Sequence, residues 1–311
     1  MLYIFLFFLL AVCFLLGMTW MRIGLFNLSG SALERWLRNV TNTPLKSMFA
    51  GIFMTVILQS SSAVTVIAVG LVSARILTFP QTIGIILGTN IGTTVTLEIL
   101  SFDLSVVIIP LLTAGTICLF FRSAKVKSTG FIFMGIGIIF AAMNGFGWLS
   151  SPLTSVDYVH NFIVQMEDSM FYAFFIGVLL TAVIQSSTVV TGIAMSFIGT
   201  GIFSLETGIL IMMGSNIGTC STALLAGIGA GNEARLTAYA HLWLNIIGVL
   251  AFLPFISFLA DWSIVLTANP ETQLAHASVI FNIICSAAVL PFSHQFGRFI
   301  IKMHKRNPRI R

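Results

Sequence analysis

The chain of 311 residues is 57% hydrophobic and 8% charged, where a soluble domain carries about 25% charged residues; this excludes a soluble globular protein and points to a helical integral membrane protein. A formal net charge of +5 does not mark a nucleic-acid binder, because the basic residues gather at segment ends and in the tail. Cys13, Cys118, Cys220 and Cys285 lie in apolar segments at unrelated spacings, which excludes a disulfide framework and a zinc pattern.

Met1 opens directly into "MLYIFLFFLL", with no basic region and no small-residue cleavage site, so the apolar stretch 1–28 reads as a first crossing and not as a signal. Next, "ALERWLRNVTNTP", with Trp36 and Arg38, reads as an amphipathic anchor at the interface. Further apolar stretches follow at 47–74, 79–100, 104–121, 128–149, 170–200, 204–229, 235–260 and 276–301. Two of them are interrupted at their midpoints by polar runs: Gln59, Ser60, Ser61 and Ser62 in the first, Gln185, Ser186, Ser187 and Thr188 in the second. His241 and Asn245, one helical turn apart in "AYAHLWLN", are candidates for a helix-packing hydrogen bond or a functional pair. Asn282 in "ASVIFN" holds a similar place.

The interruptions belong to a duplication. Sliding the chain by 126 aligns 51–100 with 177–226 without a gap, and 18 of 50 positions are identical. Matches concentrate at Gly51/Gly177, Thr55/Thr181, the two Gln-Ser-Ser runs, Thr65/Thr191, and "GTNIGT" (88–93) against "GSNIGT" (214–219). Polar residues were kept while apolar ones drifted, so the polar residues carry the function.

If each interrupted stretch is a re-entrant hairpin, the charges sort by face. Arg35, Arg38, Lys46, Arg75, Arg122, Lys125, Lys127, Arg235 and the tail fall on one side. Asp103, Asp157, Glu167, Asp168, Glu206, Asp261 and Glu271 fall on the other, and Glu34 and Glu233, each beside an arginine, break the separation. The positive-inside rule makes the basic face and the C-terminus cytoplasmic, in a multi-pass protein of the plasma membrane. Three crossings separate the hairpins, which therefore enter from opposite faces. The expected fold is an all-α polytopic membrane protein, an inverted-topology repeat with two re-entrant helical hairpins and broken transmembrane helices. One transmembrane transport domain covers 1–311, with a first repeat core at 47–121, a second, inverted one at 170–260 and a short basic tail at 302–311.

Irregular backbone at membrane depth is tolerated only where protein buries it or where it lines a wet cavity. At each tip the serines can cap the second half-helix, whose free N–H groups and partial positive charge suit an anion. Ser60–Ser62 and Ser186–Thr188 add hydroxyl donors, and Gln59 and Gln185 both donate and accept. The two tips together suit a small tetrahedral oxyanion. In the second paired motif, glycines bracketing Asn-Ile are expected to unwind the crossing helices. That would expose carbonyls beside Asn90, Thr93, Asn216 and Thr219 as sodium ligands. Mid-depth positions of both repeats are expected to hold no Arg or Lys to neutralise an anion and no Asp or Glu to hold a cation.

The paired Gln-Ser-Ser-(Ser/Thr) and Gly-(Thr/Ser)-Asn-Ile-Gly-Thr motifs, with Ala240–Asn245 downstream, resemble the type II sodium–phosphate cotransporter family over roughly residues 15–300. The resemblance implies symport of inorganic phosphate with sodium as the coupling ion and no other cofactor. It implies phosphate at Gln59, Ser60, Ser61, Gln185, Ser186 and Ser187. Sodium would be shared by Ser62, Thr65, Asn90, Thr188, Thr191 and Asn216. Many bacterial members continue into a cytoplasmic helical domain, whereas this chain stops at Arg311, so regulation through such a domain is expected to be absent or supplied separately. Electrogenic animal members carry an acidic residue before the first motif; none stands between Met1 and Leu33, which implies two sodium ions and not three. The expected partners are phosphate, sodium and the lipid bilayer, with no nucleic acid; a homodimer is left open. An oxyanion exporter or channel with weak sodium coupling is the alternative. A membrane enzyme would want a carboxylate, histidine or metal cluster at the cavity, which the tips lack.

Overall fold

The computed structural model describes the backbone of residues 1–40 and 43–304 and the side chains of 1–29 and 43–304. The described residues form α-helices joined by short turns and three 3-10 turns. In chain order the α-helices are α1 (Leu2–Val40), α2 (Pro44–Leu58), α3 (Ser61–Ser73), α4 (Phe79–Leu100), α5 (Ile108–Leu119) and α6 (Ala124–Thr154). There follow α7 (Asp157–Asp168), α8 (Met170–Ile184), α9 (Ser187–Gly199), α10 (Leu205–Gly218) and α11 (Cys220–Gly227). The last are α12 (Asn232–Phe252), α13 (Ile256–Leu266), α14 (Pro270–Val289) and α15 (Ser293–His304). Among the described residues six runs are long and apolar enough to cross a membrane: Leu2–Ser29, Phe79–Leu100, Ala124–Thr154, Leu205–Gly227, Asn232–Leu266 and Pro270–His304. The Trp36–Arg38 stretch runs on as backbone of α1, and its side chains, like tail residues 305–311, lie outside the described residues.

Helix starts follow ordinary capping chemistry. Thr43, Ser169, Ser204 and Asn269 accept backbone N–H groups at the starts of α2, α8, α10 and α14. Proline stands in the first turn of α2, α4 and α14, where its missing donor costs nothing.

Close approaches at glycine fix the helix directions. The carbonyls of Pro44, Met48 and Ile52 lie against Gly84, Gly88 and Gly92, so α2 and α4 run parallel. A chain that enters along α2 and then runs along α4 in the same direction must return through α3. The α2–α3 segment is therefore a hairpin and not a broken crossing. The second half repeats the geometry. Phe174 and Val178 carbonyls lie against Gly214 and Gly218, so α8 is parallel to α10 and α9 returns.

The halves are inverted. The Thr82–Thr237 and Asn90–Asn245 contacts run in the same sense, so α4 is parallel to α12. Cys220 meets the His241 carbonyl and Gly227 meets Ala238, so the α10–α11 run is antiparallel to α12. Hence α4 opposes α10. Even the hairpin exits match. Arg75 at φ 59° and Gly201 at φ 74° are 126 positions apart. The amides of Ile76 and Ile202 close onto the carbonyls of Leu71 and Phe197.

One expectation fails. The Gly-Asn-Ile-Gly motif does not unwind α4, which is continuous from Phe79 to Leu100, and the α10–α11 run pauses only at Thr219. The glycines serve contact instead. A Cβ on Gly88 would stand 2.0 Å from the Met48 carbonyl, and one on Gly214 would stand 2.1 Å from that of Phe174. Small residues allow backbones to touch in lipid, where hydrophobic association is weak.

A second helix, α7, falls where the apolar stretches leave a gap. It meets α8 at 116° and is amphipathic, the geometry of a helix lying along the interface before the second hairpin enters. Large apolar side chains such as Phe5, Phe8, Phe171 and Leu250 are more than half exposed, as expected where lipid is the solvent. On the acidic face, the Ser105 hydroxyl and amide donate to Asp103 and hold its carboxyl below the usual range.

Candidate functional site

The first tip is a two-residue break between α2 and α3. Gln59 ends α2 in the left-handed region, at φ 49° and ψ 36°. Ser60 is extended, and its hydroxyl accepts the Ala63 amide at 3.1 Å, capping α3 as expected. The Gln59 side chain is buried and spans two helices. Its amide donates to the Val56 carbonyl at 2.6 Å, and its Oε1 accepts the Thr96 hydroxyl of α4 at 2.9 Å. Ser61 is buried and its carbonyl accepts the Thr65 hydroxyl; Ser62 is half-buried.

The second tip copies the backbone and not the side-chain bonds. Gln185 is left-handed at φ 58° and ψ 28°, and its backbone N–H donates to the Thr181 carbonyl at 2.7 Å. Ser186 is extended at the cap position, yet its hydroxyl makes no capping bond, contrary to the expectation that serines cap both tips. Gln185 is exposed, whereas Ser187 and Thr188 are buried. Thr222, the counterpart of Thr96, bonds the Thr219 carbonyl. The tips therefore differ most at their glutamines.

The predicted sodium ligands divide in the same way. Asn90 donates its amide to Asn245 Oδ1 at 3.1 Å, and Asn245 donates in turn to the His241 carbonyl and Cys220 Sγ. This chain consumes Asn90's donor end and leaves its oxygen turned away from that bond, as a cation ligand needs. Thr191 meets Ser215 at 3.3 Å, which ties α9 to α10. Thr93 and Thr219 bond back to Thr89 and Ser215 carbonyls in their own helices. Asn216 points its amide at Met212 Sδ, 3.7 Å away. One turn before each glutamine, Thr55 and Thr181 are buried with hydroxyls that have no hydrogen-bond partner among the described residues.

Two charged groups outside the mid-depth positions of the repeats reach toward them or lie at a helix end. Arg22, inside the α1 crossing, donates from its guanidinium to the Gln59 carbonyl at 3.4 Å. Glu98, within α4, pairs with His276 of α14 at 2.8 Å. Both positions were legible as charges in apolar stretches, but their reach became visible only when α1 was laid beside α2 and α4 beside α14. On the acidic face a polar cavity of about 410 Å³ opens between Ser101, Asp103, Asn144, Asn269 and Glu271.

A polytopic helical protein whose halves are inverted copies, each carrying a polar hairpin tip beside a crossing helix, has the architecture of a secondary transporter. The family model described as Na+/Pi-cotransporter matches residues 13–147 and 153–268, and the chain belongs to that family. It is 41% identical over 293 residues to a Bacillus subtilis (strain 168) protein, YqeW, described as uncharacterized, covering 94% of this chain and 95% of the relative. It is 27% identical to the putative inorganic phosphate export protein YjbB of Salmonella typhimurium (strain LT2) over 93% of this chain, which spans about half, 53%, of that relative's length. The sodium-dependent phosphate transport protein 2A of Ovis aries is 36% identical over 88 residues, 27% of this chain and 14% of its own length. No solved structure matches the chain.

Proposed function

We propose that the protein moves inorganic phosphate across the plasma membrane by sodium-coupled symport with alternating access. The observation that carries the reading is the matched pair of left-handed glutamines, each opening onto serines at the start of a return helix, in two antiparallel halves. Phosphate is held by Gln59, Ser60 and Ser61 from one hairpin and by Gln185, Ser186 and Ser187 from the other. Sodium is held by Ser62, Thr65, Asn90 and Thr93 in the first repeat and by Thr188, Thr191, Asn216 and Thr219 in the second. The basic face is cytoplasmic. Membership of a sodium–phosphate cotransporter family supports the substrate and the coupling ion.

Phosphate export is a second reading, favoured by the relative that aligns over 93% of this chain at 27% identity and is named as a putative exporter. One system tests both: purified protein in proteoliposomes, with radiolabelled phosphate and a sodium gradient of either sign. Uptake that follows an inward sodium gradient and reverses with it is expected for coupled symport. Flux indifferent to sodium would overturn the coupling and favour the exporter or channel.

A further inference from the structure

We infer that Arg22 is a ligand of the transported oxyanion and determines its charge preference at the Gln59 tip, an inference that rests on the phosphate reading above. Arg22 lies within the Leu2–Ser29 crossing. A guanidinium stays charged and offers five N–H donors. One of these reaches the Gln59 carbonyl at 3.4 Å, the long end of a hydrogen bond, and Nε is buried with no partner among the described residues. Among the described residues no carboxylate pairs with it. A cation held in this medium without a counter-charge is costly, and intramembrane arginines mark anion or ion pathways.

The plain alternative is that Arg22 only caps α2, a cation on the last carbonyls of a helix. The second repeat argues against it. Gln185 keeps the same left-handed backbone, and among the described residues no arginine bonds its carbonyl. The turn does not need an arginine for its shape. Among the described residues, what the first tip has and the second lacks is a full positive charge on the carbonyl of its left-handed glutamine, the residue that leads into Ser60 and Ser61. A planar fork suits two oxygens of a phosphate or a similar tetrahedral oxyanion, and adds charge where helix ends supply only fractions of one. The two tips are therefore unequal: the first binds the anion's charge, and the second completes its coordination.

Phosphate uptake into proteoliposomes, measured for wild type, Arg22→Gln and Arg22→Lys, tests this, with KM and maximal rate separated. Arg22→Gln is expected to raise KM for phosphate at least ~10-fold, the loss of one charged hydrogen bond. Arg22→Lys keeps the charge without the fork and is expected to fall between that variant and wild type. The loss should be larger at pH 8 than at pH 6, because divalent phosphate depends most on the cation. A purely structural Arg22 predicts lower folded yield and lower maximal rate at unchanged KM. Should Arg22→Gln not fold, Arg22→Lys decides alone: a raised KM supports the inference, and a wild-type KM overturns it. Uptake by wild type with unchanged KM in both variants would overturn the inference and leave the phosphate reading standing. No phosphate uptake by wild type would overturn both.

Discussion

Gln59 and Gln185, 126 positions apart, both end a helix in the left-handed region, at φ 49° and 58°. Such a backbone costs a non-glycine residue on the order of 1–3 kcal/mol, and glycine adopts it freely. Two glutamines retained in that conformation are there for their side chains. Replacing Gln185 with glycine removes strain and only an exposed side chain, so stability should hold or rise. At Gln59 the relief is offset by two lost bonds, to the Val56 carbonyl and from the Thr96 hydroxyl, at about 1 kcal/mol each, so stability should hold or fall slightly. Phosphate transport should be abolished in both glycine variants and in both alanine variants. Thermal unfolding in detergent, beside uptake in liposomes, checks each half of the statement. Near wild-type uptake by any one of them would remove that tip from the substrate site.

The glycines yield an expectation about stability alone. A methyl on Gly88 or Gly214 meets backbone at 2.0–2.1 Å, and backbone cannot swing aside as a side chain can. Gly88→Ala and Gly214→Ala should each cost at least about 1–3 kcal/mol, as overpacking does. Gly70, within α3, has nothing within 4 Å of a new Cβ, so Gly70→Ala should leave the unfolding temperature unchanged or slightly raised. Equal melting of all three would mean that α2–α4 and α8–α10 are not in backbone contact.

Hairpins, crossings and inversion were legible because they rest on regularities that survive without a structure: apolar length, the 126-residue repeat and the sorting of charge. What was not legible depends on neighbours. Glycine lowers the cost both of unwinding a helix and of touching one, and the letters at Gly88 and Gly214 are the same either way; only the helix alongside decides. Arg22 stands near the basic end of an apolar stretch, where an arginine reads as one that reaches for the interface. Its reach to Gln59 exists because α1 packs against α2. Helix α7 is hidden in the sequence because its mixed composition resembles a loop, and amphipathic spacing without apolar length is a weaker signal.

The inverted fold makes a direct topological claim. Single cysteines at Lys125 and at Asp157, in a cysteine-free background, flank α6 at its two ends. They should react with a membrane-impermeant maleimide from opposite sides, with position 125 cytoplasmic. The test bears especially on α5, which with its leading 3-10 turn spans only Ser105–Leu119, short for a crossing on its own. Its antiparallel seating on α6, Leu112 against Gly137 and Cys118 against Gly130, fixes its direction. Labelling of both cysteines from one side would break the inversion.

Coupling follows from charge accounting. Phosphate near neutral pH carries between one and two negative charges. Arg22 supplies one positive charge, and the α3 and α9 starts supply partial charges worth about 0.3–2 kcal/mol each. Divalent phosphate therefore arrives with up to one negative charge unmatched, and a buried unmatched charge costs several kcal/mol. Sodium is the cation available to close that gap. The neutral oxygens of Asn90, Ser62 and Thr65 offer no countercharge to sodium, so the phosphate must provide it. Each ligand should then raise the other's affinity by one common factor, as linkage requires, with about 5–150-fold the usual range. Calorimetric titration of phosphate into the purified protein, in sodium chloride and then in choline chloride, measures the factor from one side. Sodium titration with and without phosphate measures it from the other. The two factors should agree. Arg22→Gln should raise the dependence on sodium, because the ions then carry the whole burden of neutralisation. Phosphate bound equally tightly in choline would mean that Arg22 and the helix ends suffice, and that sodium does not close the charge balance.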